Sequence, residues 1–287
     1  MPGSQELKEN LKFNIELMDL LEVMKNVAVF QYRSLLKKKE RFLRLAELFG
    51  GFLNLLNVSN VTHKFIKPQT GKEAFVMITS EEGFIGDLNF QVVDAAVERA
   101  GGAAAEFFVI GESGKRYLKD LGHSFKAFKG APDTKERFSL AKEIKEDLVR
   151  GVLEDRFSRV VVYYPYPVSF LFQKVESIDL FPLTSLFPHK GRTEVDRDPL
   201  MESSADGIIE YLAEAIVEQK LTELLEDSKL AEYAARAVHL EKSGQELVEK
   251  QKQLKGQYQH ALHELIDKNT RELFSSQIII KRKQVVS

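Results

Sequence analysis

The chain has no cysteine among its 287 residues. That absence excludes disulfides, thiolate metal sites and cysteine nucleophiles, and it fits a reducing compartment. Nor is there an apolar run approaching the roughly 20 residues of a membrane-spanning helix, so direct insertion into a bilayer is not expected. The opening MPGSQELKEN lacks a basic segment followed by an apolar one, and no Arg- and Ser-rich leader is visible, so no secretory or transit signal is read. Charge of one sign is missing as well: 41 basic residues stand against 43 acidic ones, which gives no global attraction to nucleic acid or acidic lipid. Proline is absent from 8–67 and again from 200–287. No internal repeat or low-complexity tract appears.

The two proline-free ends carry what fills those gaps. Leu7, Leu11, Asn14, Met18, Leu21, Lys25, Ala28, Tyr32 and Leu35 alternate steps of four and three. So do Leu240, Gly244, Leu247, Gln251, Leu254, Tyr258, Ala261 and Leu265, with Leu230, Tyr233 and Ala237 upstream. A seam of 3.5-residue average period is the requirement for a left-handed coiled coil. The pattern predicts a first helix from about 4 to 49, stopped by Gly50-Gly51. A last helix is predicted from about 205 onward, capped by Ser204 with Asp206. The two would wind around each other as an antiparallel coiled coil.

Between them the period changes. Ala74-Phe75-Val76-Met77-Ile78-Thr79, Glu106-Phe107-Phe108-Val109-Ile110-Gly111 and Arg159-Val160-Val161-Val162-Tyr163-Tyr164 read as buried strands. Residues 170–180 give a fourth strand with looser alternation. Helices are expected at 90–100, 115–121 and 135–154, the last with Phe138, Ile144, Leu148 and Val152 on one side. Strands alternating with helices argue for an α/β body with a mostly parallel, Rossmann-like sheet. Pro182, Pro188 and Pro199 punctuate a polar connector. The expected organisation is a shaft helix over 1–50, a globular α/β domain with connector over 51–204, and a second shaft helix over 205–287.

Chemistry is hard to find. The turn 80–89 sits where a phosphate loop would, but its spacing matches neither nucleotide fingerprint and Glu81, Glu82 and Asp87 would repel a phosphate. A structural turn is the better reading. Gly111-Glu112-Ser113-Gly114-Lys115 lacks the upstream glycine and following hydroxyl of a phosphate loop, and reads as a helix start. The six histidines, His63, His123, His189, His239, His260 and His263, show no second ligand pair, so no metal site is expected. The basic run from Arg33 through Lys37, Lys38, Lys39, Arg41 and Arg44 has no aromatic platform for RNA beside it. No catalytic constellation and no cofactor site is read.

Three segments resemble the gamma subunit, the central rotor shaft, of F-type ATP synthases. Met24-Lys25-Asn26-Val27-Ala28-Val29-Phe30-Gln31-Tyr32-Arg33 is similar to the family's Met-x-Met-Val-Ala-Ala-Ser-Lys-Met-Arg block, matching at Met24, Val27, Ala28 and Arg33. Ile78-Thr79-Ser80-Glu81-Glu82-Gly83-Phe84-Ile85-Gly86-Asp87-Leu88-Asn89 resembles its Ile-Thr-Ser-Asp-x-Gly-Leu-Cys-Gly-Gly-Leu-Asn turn. Glu232-Tyr233-Ala234-Ala235-Arg236-Ala237 resembles Glu-His-Ala-Ser/Ala-Arg-Met, and Tyr258 with Ile266 fits the Tyr-Asn-x-Ala-x-x-x-x-Ile pattern after it. The sequence departs from the family at 241–246 and at the C-terminal tip 274–283. The resemblance implies a non-catalytic subunit of a divergent or alternate-type enzyme. It would couple ion flow through the membrane sector to conformational cycling of a catalytic ring. Its partners would be three alpha and three beta subunits, an epsilon subunit and the membrane rotor ring, at the cytoplasmic face of the plasma membrane. Rotor–stator contacts are then expected at Met24, Val27, Ala28, Arg33, Glu232, Arg236, Tyr258, Ile266, Lys281, Arg282 and Lys283, with Gly83, Gly86 and Asn89 as a structural corner. A standalone coiled-coil scaffold or chaperone-like protein is the alternative, and a nucleotide-dependent α/β enzyme is a further one.

Overall fold

A computed structural model describes residues 4–39, 63–67, 71–186 and 205–285. Its elements are α1 (Ser4–Lys39), β1 (Lys72–Ile78), α2 (Leu88–Ala100), β2 (Ala105–Ile110), α3 (Glu112–Asp120), β3 (Phe125–Phe128), α4 (Thr134–Leu153), β4 (Phe157–Pro167), β5 (Gln173–Phe181) and α5 (Ala205–Val285), with a 3-10 turn at Leu183–Ser185 before α5. They group into two compact units, one of Met1–Asn26 with Leu240–Ser287 and one of Val27–His239. The expected stop at Gly50-Gly51, the Ser204 cap and most of the connector lie outside the described residues.

In the larger unit a five-stranded sheet runs β3-β2-β1-β4-β5. The first four strands are parallel and β5 returns antiparallel on β4, pairing Val162 with Ile178. Ala74, Phe75, Val76 and Met77 of β1 are all fully buried. A continuous apolar run is what a central parallel strand with both faces covered requires. On one face Val76, Ile78, Phe108, Val160 and Val162 pack with Ile144 and Leu148 of α4 and with Val217, Leu221 and Leu224 of α5. On the other, Phe75, Met77, Val109 and Val161 pack with Val92, Val93 and Ala96 of α2 and Leu118 of α3. Asp133 caps α4, its carboxylate accepting from the Glu136 N–H at 2.8 Å.

Two expectations need correction. Phe138 is 51% exposed, because the buried stripe of α4 runs through Leu140, Ala141, Ile144, Leu148 and Val152 and position 138 falls beside it. The strand β3 had no counterpart in the sequence reading. It is a four-residue edge strand whose middle residues, Lys126 and Ala127, are exposed, so it carries no buried run.

In the smaller unit the seams are visible in the burial. Leu7, Asn14 and Leu21 of α1 are buried and Leu11, Met18 and Lys25 partly so, while Gly244, Leu247, Gln251, Leu254, Tyr258 and Ala261 of α5 are all half-buried. Lys25 Nζ donates to Glu241 Oε2 at 2.8 Å across the pair. That hydrogen bond raises the lysine above its ordinary range, and it holds the Glu241 carboxyl below its own, with help from Gln245. In the larger unit, Tyr32 and Leu35 of α1 meet Leu230 and Tyr233 of α5.

Candidate functional site

The sheet order makes β1 the point where the chain reverses direction of travel. It moves outward through β2 and β3, then crosses back to place β4 on the other side of β1. In doubly wound folds the crevice at the carboxyl ends of such neighbours is the usual ligand site. Here the turn 79–87 and the middle of α5 fill it.

The turn is tied down from within. The Thr79 hydroxyl donates to the Ile110 carbonyl at 2.6 Å and accepts from the Gly114 N–H at 3.0 Å. A side chain at Gly114 would meet Thr79 Oγ1 at 2.5 Å. Gly111 has a φ of +95°, and a Cβ there would approach the Thr79 carbonyl oxygen to 2.4 Å, so close backbone approach demands glycine. The 111–115 segment therefore starts α3, as its sequence implied. Asn89, buried at the head of α2, accepts from the Ser80 N–H at 3.0 Å and donates to the Ser80 hydroxyl at 2.8 Å. The Glu81 carboxylate accepts from the Gly130 N–H, which takes a backbone donor that an anion would need.

α5 closes over this turn. Arg236 Nε donates to the Gly83 carbonyl at 3.3 Å, and its Nη2 to Glu232 Oε1 at 2.7 Å and toward Glu82 Oε2 at 3.4 Å. Lys229 adds a second cation to Glu232 at 2.9 Å. Glu232 and Arg236 are both nearly fully buried, so each charge is compensated where water is scarce. Ile85 and Leu88 pack on Ala235 and Val175, and a Cβ at Gly86, whose φ is +67°, would stand 4.0 Å from His239 Nδ1. Next to Gly83, Phe84 adopts a φ of +62° and stays 49% exposed. A non-glycine residue in that region costs about 1–2 kcal/mol and persists only where its neighbours hold it. The Arg236 grip on Gly83 is such a restraint. Burial raises the Tyr233 phenol, with the Glu232 charge adding to it.

Among the described residues a gap of about 30 Å³ lies at the carboxyl end between Ile78, Thr79, Ile110, Arg137 and Leu225, room for a water but not for a nucleotide. Arg137 crosses it to Glu226 at 3.0 Å and to the Pro132 carbonyl at 2.6 Å. A wider cleft of about 520 Å³ lies at the opposite, amino ends of the strands. Two of its three cations are already paired, Lys126 with Asp147 and Arg156 with Glu106, and Lys72 is the third. Among the described residues no group of three or more histidines, aspartates and glutamates could hold a metal ion, and no helix is long and apolar enough to cross a membrane.

The structure thus joins Gly83, Gly86, Asn89, Glu232 and Arg236, two motifs about 150 residues apart, into one clasp. Ala28 is fully buried, Met24 and Tyr258 are half-buried, and Val27, Arg33 and Ile266 are exposed. The side chains of Lys281, Arg282 and Lys283 lie outside the described ones. Thr79, Ser80, Phe84 and Lys229 belong to the clasp and were not anticipated. Thr79 and Ser80, two hydroxyls directly after the buried end of β1, carried a local signal.

Comparison with known proteins converges on one group. The family model described as ATP synthase matches residues 4–276. The ATP synthase gamma chain of Halothermothrix orenii is 27% identical over 171 residues, 58% of this chain and 59% of that protein. That of Chlorobium phaeobacteroides is 23% identical over 95% of this chain and 97% of its own. The fold matches a chain of the Euglena gracilis mitochondrial ATP synthase OSCP/F1/c-ring structure with a TM-score of 0.71 at 15% identity, covering 96% of this chain and 94% of that one. It also matches a chain of the Tetrahymena thermophila mitochondrial central stalk and c-ring with a TM-score of 0.61 at 19% identity, covering 78% and 99%. With a model match over nearly its whole length, a filled ligand crevice and heptad helices at both ends, the chain belongs to the ATP synthase family.

Proposed function

We propose that this chain is the gamma-type rotor subunit of an F-type ATP synthase, a camshaft without catalytic groups of its own. The observation that carries the reading is the pairing of the two terminal heptad helices at Lys25 and Glu241. A sheet domain whose ligand crevice is occupied by its own helix supports it. In this reading three alpha and three beta subunits surround the helix pair. Rotation presents a different face to each beta subunit and biases it among states of different nucleotide affinity, which is differential binding to pre-existing conformations. An epsilon subunit and the membrane rotor ring complete the rotor, and the chain sits peripherally on the cytoplasmic face of the membrane.

Among the residues first assigned to the rotor–stator contact, exposed Val27, Arg33 and Ile266 and half-buried Met24 and Tyr258 retain surface for it. Lys281, Arg282 and Lys283 suit acidic loops of the ring. Ala28, Glu232 and Arg236 are covered by the chain itself and act by holding its shape. The test is reconstitution with cognate alpha and beta subunits, reading complex mass and ATPase rate. One copy of this chain per three-plus-three ring, with ATPase stimulated, is the expected outcome. A stable homo-oligomer indifferent to alpha and beta would overturn it in favour of a coiled-coil scaffold.

A further inference from the structure

The loop that joins β4 to β5 has an unusual composition. Four of its five residues, Val168, Ser169, Phe170, Leu171 and Phe172, are apolar, where turns ordinarily carry polar residues and glycine. Leu171 is 75% exposed, Phe172 59% and Val168 50%. The loop is nonetheless well tied. The Ser169 N–H donates to the Phe172 carbonyl at 3.0 Å, and the Phe172 N–H to the Ser169 hydroxyl at 3.1 Å. Gln173 Nε2 donates to the Ser169 and Phe170 carbonyls at 3.1 and 3.0 Å. Pro165 and Pro167 fix φ in the stem. The Phe170 ring meets Tyr32 of α1 edge-on, with centroids 5.0 Å apart, and at the start of β5 Val175 packs with Ile85, Leu88 and Ala235.

The fold therefore gains little from burying Leu171 and Phe172, yet it holds them outward on an ordered turn. Apolar side chains presented this way lose little freedom on binding, which is the character of an interface anchor. Three kinds of partner could meet them. A bilayer contact wants free cations beside the apolar tip, but Lys174, the first cation after the tip, is paired with Glu176. A second copy offers only another convex tip, and two five-residue tips fall far short of the roughly 20–30 residues a side of a stable interface. A protein with a concave apolar pocket fits. In the rotor reading such a partner either stands in the stator or turns with the chain. A stator contact must release at every step of rotation, whereas a buried aromatic anchor dissociates slowly. A companion that turns with the chain need never release.

We infer that Leu171 and Phe172 anchor a soluble subunit that turns with this chain, the epsilon subunit of the rotor reading, by entering an apolar pocket on it, an assignment that rests on that reading. Binding of purified cognate epsilon to the full chain in solution tests it. Combining Leu171→Ser with Phe172→Ser should weaken the complex about thirtyfold. Leu171→Ser alone, the milder change if the pair disturbs folding, should weaken it about fivefold, and Phe172→Leu, which keeps the apolar bulk, by no more than about threefold. Both side chains face solvent, so the urea midpoint should hold and each variant should still assemble with alpha and beta. Equal affinity of the wild-type chain and the double variant for epsilon, or no binding of epsilon by the wild-type chain, overturns the inference. So does a double variant that binds epsilon normally but stimulates the alpha–beta ATPase less, which would set the tip against the stator. A double variant that binds epsilon normally but loses binding to phosphatidylcholine–phosphatidylglycerol vesicles overturns it in favour of lipid. The rotor reading fails separately, by the wild-type chain's failure to join alpha and beta.

Discussion

Arg236 concentrates three roles in one side chain. It neutralises Glu232, holds the Gly83 carbonyl and steadies the turn that keeps Phe84 at positive φ. Replacing it with alanine would leave Glu232 buried with only Lys229 beside it. Removing one member of a buried ion pair costs about 3–5 kcal/mol, and the second cation places Arg236→Ala near 3 kcal/mol. The denaturant midpoint should fall accordingly, and pairing it with Glu232→Gln should recover part of the loss. A drop below about 1 kcal/mol would mean that the clasp behaves like a surface pair. None of this coupling was visible along the chain. The two motifs stood out separately, but only the fold lays Arg236 over Gly83, and a resemblance alone sent Glu232 and Arg236 to an external contact.

At the scale of elements, legibility followed burial. β1, β2 and β4 were readable because a central parallel strand needs an unbroken apolar run. The terminal helices were readable because a seam needs an unbroken heptad. β3 escaped because an edge strand of four residues owes little to its side chains. The antiparallel direction of β5 has no signature in its loose alternation; it follows from a short return after Pro167. α4 shows where packing tolerance is least. A Cβ at Gly151 would fall 2.1 Å from the Phe157 ring, and Phe157 is 1% exposed, so the ring cannot swing into water. Gly151→Ala should therefore destabilise the protein by about 1–3 kcal/mol, the usual range for overpacking, despite alanine's better helix propensity. A midpoint that rises instead would show that Phe157 relaxes freely.

For the molecule as a whole, the titration behaviour has one sign at high pH. Tyr163, Tyr164 and Tyr233 are all raised from 10.0, chiefly by burial. Lys145 is raised from 10.5 because its pairs with Glu218 and Glu214 outweigh burial, which pulls it down, and Lys25 is raised by its bond to Glu241. A group raised on folding lends stability that is complete below its unfolded value and lost as pH climbs through its folded one. The unfolded chain then binds fewer protons, so stability falls with pH, by at most about 1.4 kcal/mol per unit for each group. Urea midpoints should hold steady up to about pH 9 and decline steeply above pH 10.0 to 10.5, the ordinary values of these groups. A flat profile to pH 12 would contradict the burial of the three phenols.

Among the described residues the sheet ends at β3 and β5, and these two margins have a consequence for the chain before it meets any partner. A sheet margin offers unpaired N–H and C=O groups to whatever strand drifts past. One margin is β3, only four residues long and carrying exposed Lys126. The other is β5, where Lys174, Glu176 and Asp179 interrupt the apolar positions. A short border and a charged one give a passing copy little to zip onto, so crowding of newly made chains need not end in fibrils or amorphous precipitate.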